Sequence, residues 1–445
     1  MLRMTPTDAQ TFWISEKIPN DQLLLYCFDG QSQSIDELRR SVVERASLIP
    51  DLNVRIRESP WHLDYPLWDP MPVDASLVRV HELPDDSWPS CIHGIEKLLE
   101  NHVDPRESPW TLHLFHGVTG APRCSGPALI AVLQVAHSLA DGKRASAIAR
   151  QLFSPQPPAK QKTDVRRSGS AEILGRAALR LPGQLVSLFR DGRAGHRAQL
   201  QLQADTESGV VAPQAASRPK VRSNIPPGSH RLVRMVVRDS ADFRGDGVSV
   251  TVGAMTAISV AMANYLTERD GSVPPELGAE VTIAKAGTPT ARNHFRNAGV
   301  GLFPDIDDLR ERAQRIKASM DERRARASHP SSAASDLALN AVPGPLVRWG
   351  VQQYDFTAVP DEVTGNTVVS SVARGDADLM LGGGVVRFTA GFPSLSPVMS
   401  LTHGVHGIGD TVTISITSSP ASIPDIDVYE QMMHDAIDEV REALS

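Results

Sequence analysis

The residues best placed to do chemistry are grouped in Ala136-His137-Ser138-Leu139-Ala140-Asp141-Gly142. A histidine ordinarily titrates near neutrality, so it can take the proton from a hydroxyl as that oxygen attacks an acyl carbon. If donor and acceptor meet at one imidazole, moving an acyl group off a thioester needs no covalent enzyme intermediate. The thiolate leaving group is a weak base and asks for little protonation. Asp141, four residues on, can orient the loop by pairing with an arginine elsewhere, and Gly142 permits a tight turn. On the heptapeptide alone, a structural histidine is the commoner reading at a strand end. Ser138 lacks the G-x-S-x-G setting of a hydrolase nucleophile.

The segments on either side deliver these residues to one place. Residues 128–135 (ALIAVLQV) contain one polar member and read as a buried strand. Residues 142–153 put Ala145, Ile148, Ala149 and Leu152 at helical spacing. A strand end in such a sheet is where ligands tend to bind. Before it, 23–28 and 111–118 read as strands, Ser34 caps a helix carrying Leu38, Val42, Val43 and Ala46, and 92–102 is helical. The second half offers strands at 232–237, 281–286, 367–372, 385–390 and 411–417. Its helices fall at 251–266, 307–326, 335–352 and 426–444, and Gly382-Gly383-Gly384 makes a hairpin turn. The pattern predicts α/β architecture with mixed sheets in two lobes, 1–153 and 229–445, joined by a connector, 154–228. Pro155, Pro157 and Pro158 open that connector and Pro226 and Pro227 close it. Its basic amphipathic stretch, 171–190, interrupted at Pro182-Gly183, is either a crossover connection or a segment that lies on an anionic membrane.

The chain has 445 residues and a net charge of -7, which argues against a general nucleic-acid binder. Cys27, Cys91 and Cys124 are widely spaced with no C-x-x-C, which suits a reducing compartment better than a disulfide framework or zinc site. No apolar run reads as a membrane span and no leader pattern is seen, so a cytoplasmic location with peripheral membrane contact is expected. His93, His102, His113 and His116 read as surface residues rather than metal ligands. His403 and His406 fall in a glycine-rich stretch that reads as a surface loop, with a place at the mouth of a substrate tunnel as the alternative.

The heptapeptide resembles the H-H-x-x-x-D-G motif of the acyltransferase superfamily that includes chloramphenicol acetyltransferase and peptide-synthetase condensation domains. The whole chain resembles, more specifically, the bacterial wax ester synthase/diacylglycerol O-acyltransferase (WS/DGAT) family. Thr5-Pro6-Thr7-Asp8-Ala9 is similar to its P-x-D-A start, and Val103 to Trp110 to its P-L-D-x-x-x-P-L-W segment. Thr288-Pro289-Thr290-Ala291-Arg292 with Asn297 resembles its P-x-S-x-R … G-N stretch. Val369-Ser370-Ser371-Val372 and Ile423-Pro424-Asp425 resemble its S-N-V strand and V-P-D helix start. The resemblance implies two chloramphenicol-acetyltransferase-like lobes with a tunnel at their interface. It implies His137 as general base, acyl-CoA as co-substrate with no further cofactor or metal, and a fatty alcohol or diacylglycerol as acceptor at a membrane or lipid inclusion. Asp141, Gly142 and Arg292 would be structural, Asp141 pairing with Arg292 and Gly142 bringing an N–H near the oxyanion. Ala136, Pro109, Trp110, Asn297, Ser370 and Ser371 would line the tunnel. The chain departs from the pattern at Ala136, Thr111, Ser371 and the Val252-Gly253 pair, which stands in place of Asn-Asp. Those departures motivate two alternatives, a catalytically silent acyl- or lipid-binding relative and an acyltransferase served by a carrier protein.

Overall fold

The computed structural model describes residues 2–159, 165, 167 and 169–445; residue 1 and the connector residues 160–164, 166 and 168 lie outside it. Two six-stranded mixed sheets dominate the fold. In the first, Gln22–Asp29 runs antiparallel to Ala128–Val135, which runs antiparallel to Trp110–Val118, and Val78–Val80 adds a parallel edge. Both central strands are apolar on both faces, so alternate side chains feed two different cores. Leu24, Tyr26, Phe28, Leu129, Ala131 and Leu133 pack beneath helices Ile35–Leu48 and Gly142–Phe153. Leu25, Cys27, Ile130 and Val132 point the other way, toward helix Trp88–Leu99 and toward Val233 and Met235 of the second sheet. There Cys27 and Cys124, far apart in the chain, bring their Sγ atoms to 3.3 Å.

The second sheet runs Phe295–Gly301, Gly278–Ala284, Thr367–Ala373, Leu401–Ile408, Thr411–Ser418, Leu232–Asp239, in that order across. Helices Val250–Asp270, Leu309–Ala327 and Ile426–Leu444 cover its face. Val250–Asp270 is long and apolar enough to cross a membrane, contrary to the reading that no such run exists, but most of that stretch is buried inside the protein. A helix wrapped on every side by core is apolar all round for the same reason a spanning helix is.

Four further expectations fail for identifiable reasons. The division at residue 229 does not hold for Gly384–Phe392, which leaves the second lobe and pairs antiparallel with Gln22–Asp29 in the first sheet. Pro182 does not end the connector helix, which runs unbroken from Ser170 to Glu207 and presses Gly195 against Ala334 and Ala338 of a neighbouring helix. The expected helix over 335–352 is two helices, Pro330–Ala341 and Gly344–Gln353, because Pro343 cannot continue the first and caps the second. His403 and His406 are not in a surface loop but on the buried central strand Leu401–Ile408. Gly404 between them looks like turn chemistry in the sequence. Its backbone in fact lies so close to Gly391 of the crossing strand that a Cβ would sit 2.2 Å from the Gly391 carbonyl oxygen.

Candidate active site

Strand Ala128–Val135 ends at the heptapeptide, and helix Gly142–Phe153 begins where it stops. Asp141 caps that helix, its Oδ1 accepting from the Arg144 N–H at 2.9 Å. Its Oδ2 accepts from the His294 N–H at 3.0 Å, and its own N–H donates to the Arg292 carbonyl at 3.1 Å. The expected pairing of the Asp141 carboxylate with the Arg292 guanidinium is therefore corrected: the loops are joined through backbone groups. The Arg292 side chain turns away, donating from Nη1 to Asp51 Oδ1 at 2.8 Å and to the Leu139 carbonyl at 3.2 Å. It also lies 4.2 Å from the Trp68 ring centroid. Asp51 is shared with Arg144, which reaches it at 3.0 and 2.8 Å. Burial pushes the Asp51 carboxyl up, but Arg292 and Arg144 outweigh it and hold it below the usual range.

Asp8, 1% exposed at the start of helix Pro6–Ser15, holds the same segment from the opposite side. It accepts from the Arg292 N–H at 3.0 Å, the Asn293 N–H at 2.9 Å and Asn293 Nδ2 at 3.0 Å. Asn293 Nδ2 also donates to the His137 carbonyl at 2.9 Å. Both partners of that nitrogen are acceptors only, so it is the amide NH₂ and Oδ1 is the atom facing His137 Nδ1, 2.8 Å away. Nδ1 must then carry the imidazole proton, which leaves Nε2 with its lone pair. Burial lowers the His137 pKa, and its own carbonyl, Asn293, Asp141 and Asp8 offset this only in part. The ring is a neutral base at neutral pH.

His137 lies in the wall of a cavity of about 380 Å³ that both sheets line. Asp21, Gln22 and Leu23 contribute from the first sheet's side, and Glu280, Asn297 and Ser370 from the second's. Apolar and polar groups alternate there: Phe295 packs on the His137 ring at 5.5 Å, while Ser371 Oγ shares a hydrogen with Thr251 Oγ1 at 2.7 Å. Two wall carboxyls resist ionisation. Burial raises Asp21 to about 6 against the bonds it accepts from Val103 and Gln134, and raises Glu280 although Asn297 donates to it at 2.6 Å.

Of the residues expected to line a tunnel, Asn297, Ser370 and Ser371 do face the cavity, as do His137, Asp141 and Gly142. Ala136, Pro109 and Trp110 do not. Ala136 is 3% exposed and bonds back to the Pro109 carbonyl at 2.8 Å. Trp110 is wholly buried, its Nε1 donating to the Leu52 carbonyl at 2.9 Å. That segment braces the motif strand from behind. His113 is likewise no surface residue: it sits between His81 and Gln134 at 2.9 Å each, and burial drops its pKa to about 4. Asp51, Asn293 and the anchoring role of Asp8 were not read from the sequence. No periodicity marks a carboxylate whose partners are distant in the chain, Arg292 lying 241 residues from Asp51 and Asn293 285 from Asp8; the P-x-D-A start was the single signal available.

Residues 293–441 match the family described as the WS/DGAT C-terminal domain. The whole chain is similar in fold to the wax ester synthase/diacylglycerol acyltransferase from Marinobacter aquaeolei VT8, at 17% identity over 99% of each chain with a TM-score of 0.63. It is similar also to the first condensation domain of the calcium-dependent antibiotic synthetase in complex with a substrate analogue, at 13% identity, 100% of this chain, 98% of that chain and a TM-score of 0.60. A mutant starter condensation domain of rhizomide synthetase in complex with C8-CoA matches at 13% identity, 100% of this chain, 95% of that chain and a TM-score of 0.58. The fold is thus the two-lobed, chloramphenicol-acetyltransferase-like α/β architecture.

Proposed function

We propose, for a chain whose residues 293–441 carry a WS/DGAT C-terminal domain, that it moves a fatty acyl group from acyl-CoA to the hydroxyl of a hydrophobic acceptor such as a long-chain alcohol or diacylglycerol. The observation that carries this reading is His137, held neutral with its proton on Nδ1, in the wall of a cavity between two lobes. In the proposed reaction Nε2 takes the acceptor's hydroxyl proton as its oxygen attacks the thioester carbon. The C–O bond forms, the C–S bond breaks, and the proton passes to the departing thiolate. We assign to the Gly142 N–H, at the start of helix Gly142–Phe153, and to the positive end of that helix the stabilisation of negative charge on the thioester oxygen. No cofactor beyond acyl-CoA is proposed.

The test is His137→Ala in an assay of labelled acyl-CoA with long-chain alcohol and diacylglycerol. Loss of a general base should lower turnover by about 10²–10⁴-fold, with the melting temperature little changed. Turnover undiminished by the substitution would remove His137 as the base, and no turnover by the unaltered chain would sink the reading in favour of a silent lipid-binding relative. A cytoplasmic protein touching membranes or lipid inclusions through the connector helix completes the proposal.

A further inference from the structure

The cavity wall holds a cation with no counter-ion. Arg374 follows strand Thr367–Ala373 and is 3% exposed. Its N–H donates to the Gly407 carbonyl at 2.8 Å and its carbonyl accepts from Arg150 Nη1 at 2.9 Å, so the backbone is fixed. The side chain turns inward. Nη1 donates to Thr389 Oγ1 at 2.7 Å and the guanidinium lies 5.1 Å from the Tyr26 ring centroid. Nε has no partner, and no carboxylate forms an ion pair with the group among the described residues. Other buried arginines differ. Arg292 is neutralised by Asp51, and Arg312 spends its N–H groups on the Ile306 and Pro304 carbonyls and on Ser259. A guanidinium does not deprotonate in a protein, so it persists in a dry site only if something there answers its charge.

The surroundings are equally unfinished. Among the described residues His406 Nδ1, also buried, has no hydrogen-bond partner, and the buried Tyr26 hydroxyl has none beyond the Arg374 guanidinium itself. Burial and the charge of Arg374 keep the His406 ring neutral. Gly391 lets both groups pack against its backbone: a Cβ there would come within 2.7 Å of Arg374 Nη2 and 2.9 Å of His406 Nε2. Arg374, His406 and Gly391 all line the cavity that His137 lines.

We propose that Arg374 and His406 form an anion subsite inside the reaction cavity, and that the preferred acceptor is an acyl-chain alcohol bearing a carboxylate remote from its hydroxyl. This rests on the acyl-transfer reading above. The charges of an acyl-CoA sit on its CoA moiety rather than its acyl tail, so an anion deep in the cavity belongs to the acceptor. One guanidinium answers one charge and its fork fits a carboxylate. The carboxylate is unchanged by the reaction, which joins the acyl carbon to the acceptor's hydroxyl oxygen.

Calorimetry on the full chain with 16-hydroxyhexadecanoate and with its methyl ester tests this, alongside ester formation from palmitoyl-CoA with each. The free acid should bind roughly 10- to 100-fold more tightly than the ester, the effect of hydrogen bonds to a charged group. Arg374→Met should bring the ratio to about one while leaving the melting temperature without acceptor unchanged or higher, since an unpaired buried charge is gone. Equal binding of acid and ester by the unaltered chain overturns the proposal, and needs no variant to fold. So does a preference that survives Arg374→Met. A preference for the acid without any ester product supports the subsite and counts against the transferase reading instead.

Discussion

Asp8, Asn293 and His137 form a line of hydrogen bonds in which each group has one sensible orientation. Asn293 is a positioning residue in that line, acting on substrate only through the imidazole. Asn293→Ala should therefore lower kcat by about 10²-fold with KM little altered. The buried Asp8 loses a donor at the same time, at a cost of about 1–3 kcal/mol in chemical denaturation. The pH profile separates this from simple destabilisation. Asn293 raises the His137 pKa against the dominant effect of burial, so its loss should move the acid limb of kcat further down. An acid limb at the same pH in both proteins would show that Asn293 does not set the state of the imidazole. His137 could be singled out in the sequence because strand, loop and helix signals converge on it. Asn293 could not, because its meaning depends on Asp8, 285 residues away.

The connector helix Ser170–Glu207 is the element the sequence described least well. Pro182 reads as a break, yet the helix passes through it, and the exposed residues on either side belong to one surface. Leu179, Val186 and Phe189 stand 83%, 67% and 74% exposed, among Arg176, Arg180 and Arg190. Apolar side chains left in water beside arginines are what an anionic lipid surface binds. Vesicles containing phosphatidylglycerol should carry the chain upward in flotation, and Leu179→Asp with Phe189→Asp should leave it at the bottom without lowering the melting temperature. Equal flotation of both proteins would remove this helix from the membrane contact. Strands were more legible where one or two faces are uniformly apolar, as at Ala128–Val135. They were least legible at Leu401–Ile408, where two histidines and two glycines conceal a central strand.

At the scale of the whole molecule, each sheet buries a neutral histidine: His113, lowered to about 4, in the first, and His403, lowered to about 3, in the second. An unfolded histidine titrates near 6.5, so as pH falls below that value the unfolded chain takes up protons that the folded one refuses. Stability from both is complete above 6.5 and is lost progressively toward 4 and 3, on the order of 3 kcal/mol for His113 alone. Asp21, raised to about 6, works with the opposite sign over its narrower range. Thermal melts should fall between pH 7 and pH 5; a constant midpoint would contradict the burial of neutral histidines. The strand Gly384–Phe392 bears on how such a molecule is made. During synthesis from the N-terminus, the long edge of Gln22–Asp29 stays unpaired until residue 392 has left the ribosome. Until then the nascent chain displays a ready template for wrong strand pairing, and its first lobe closes only after most of the second sheet's strands have been made.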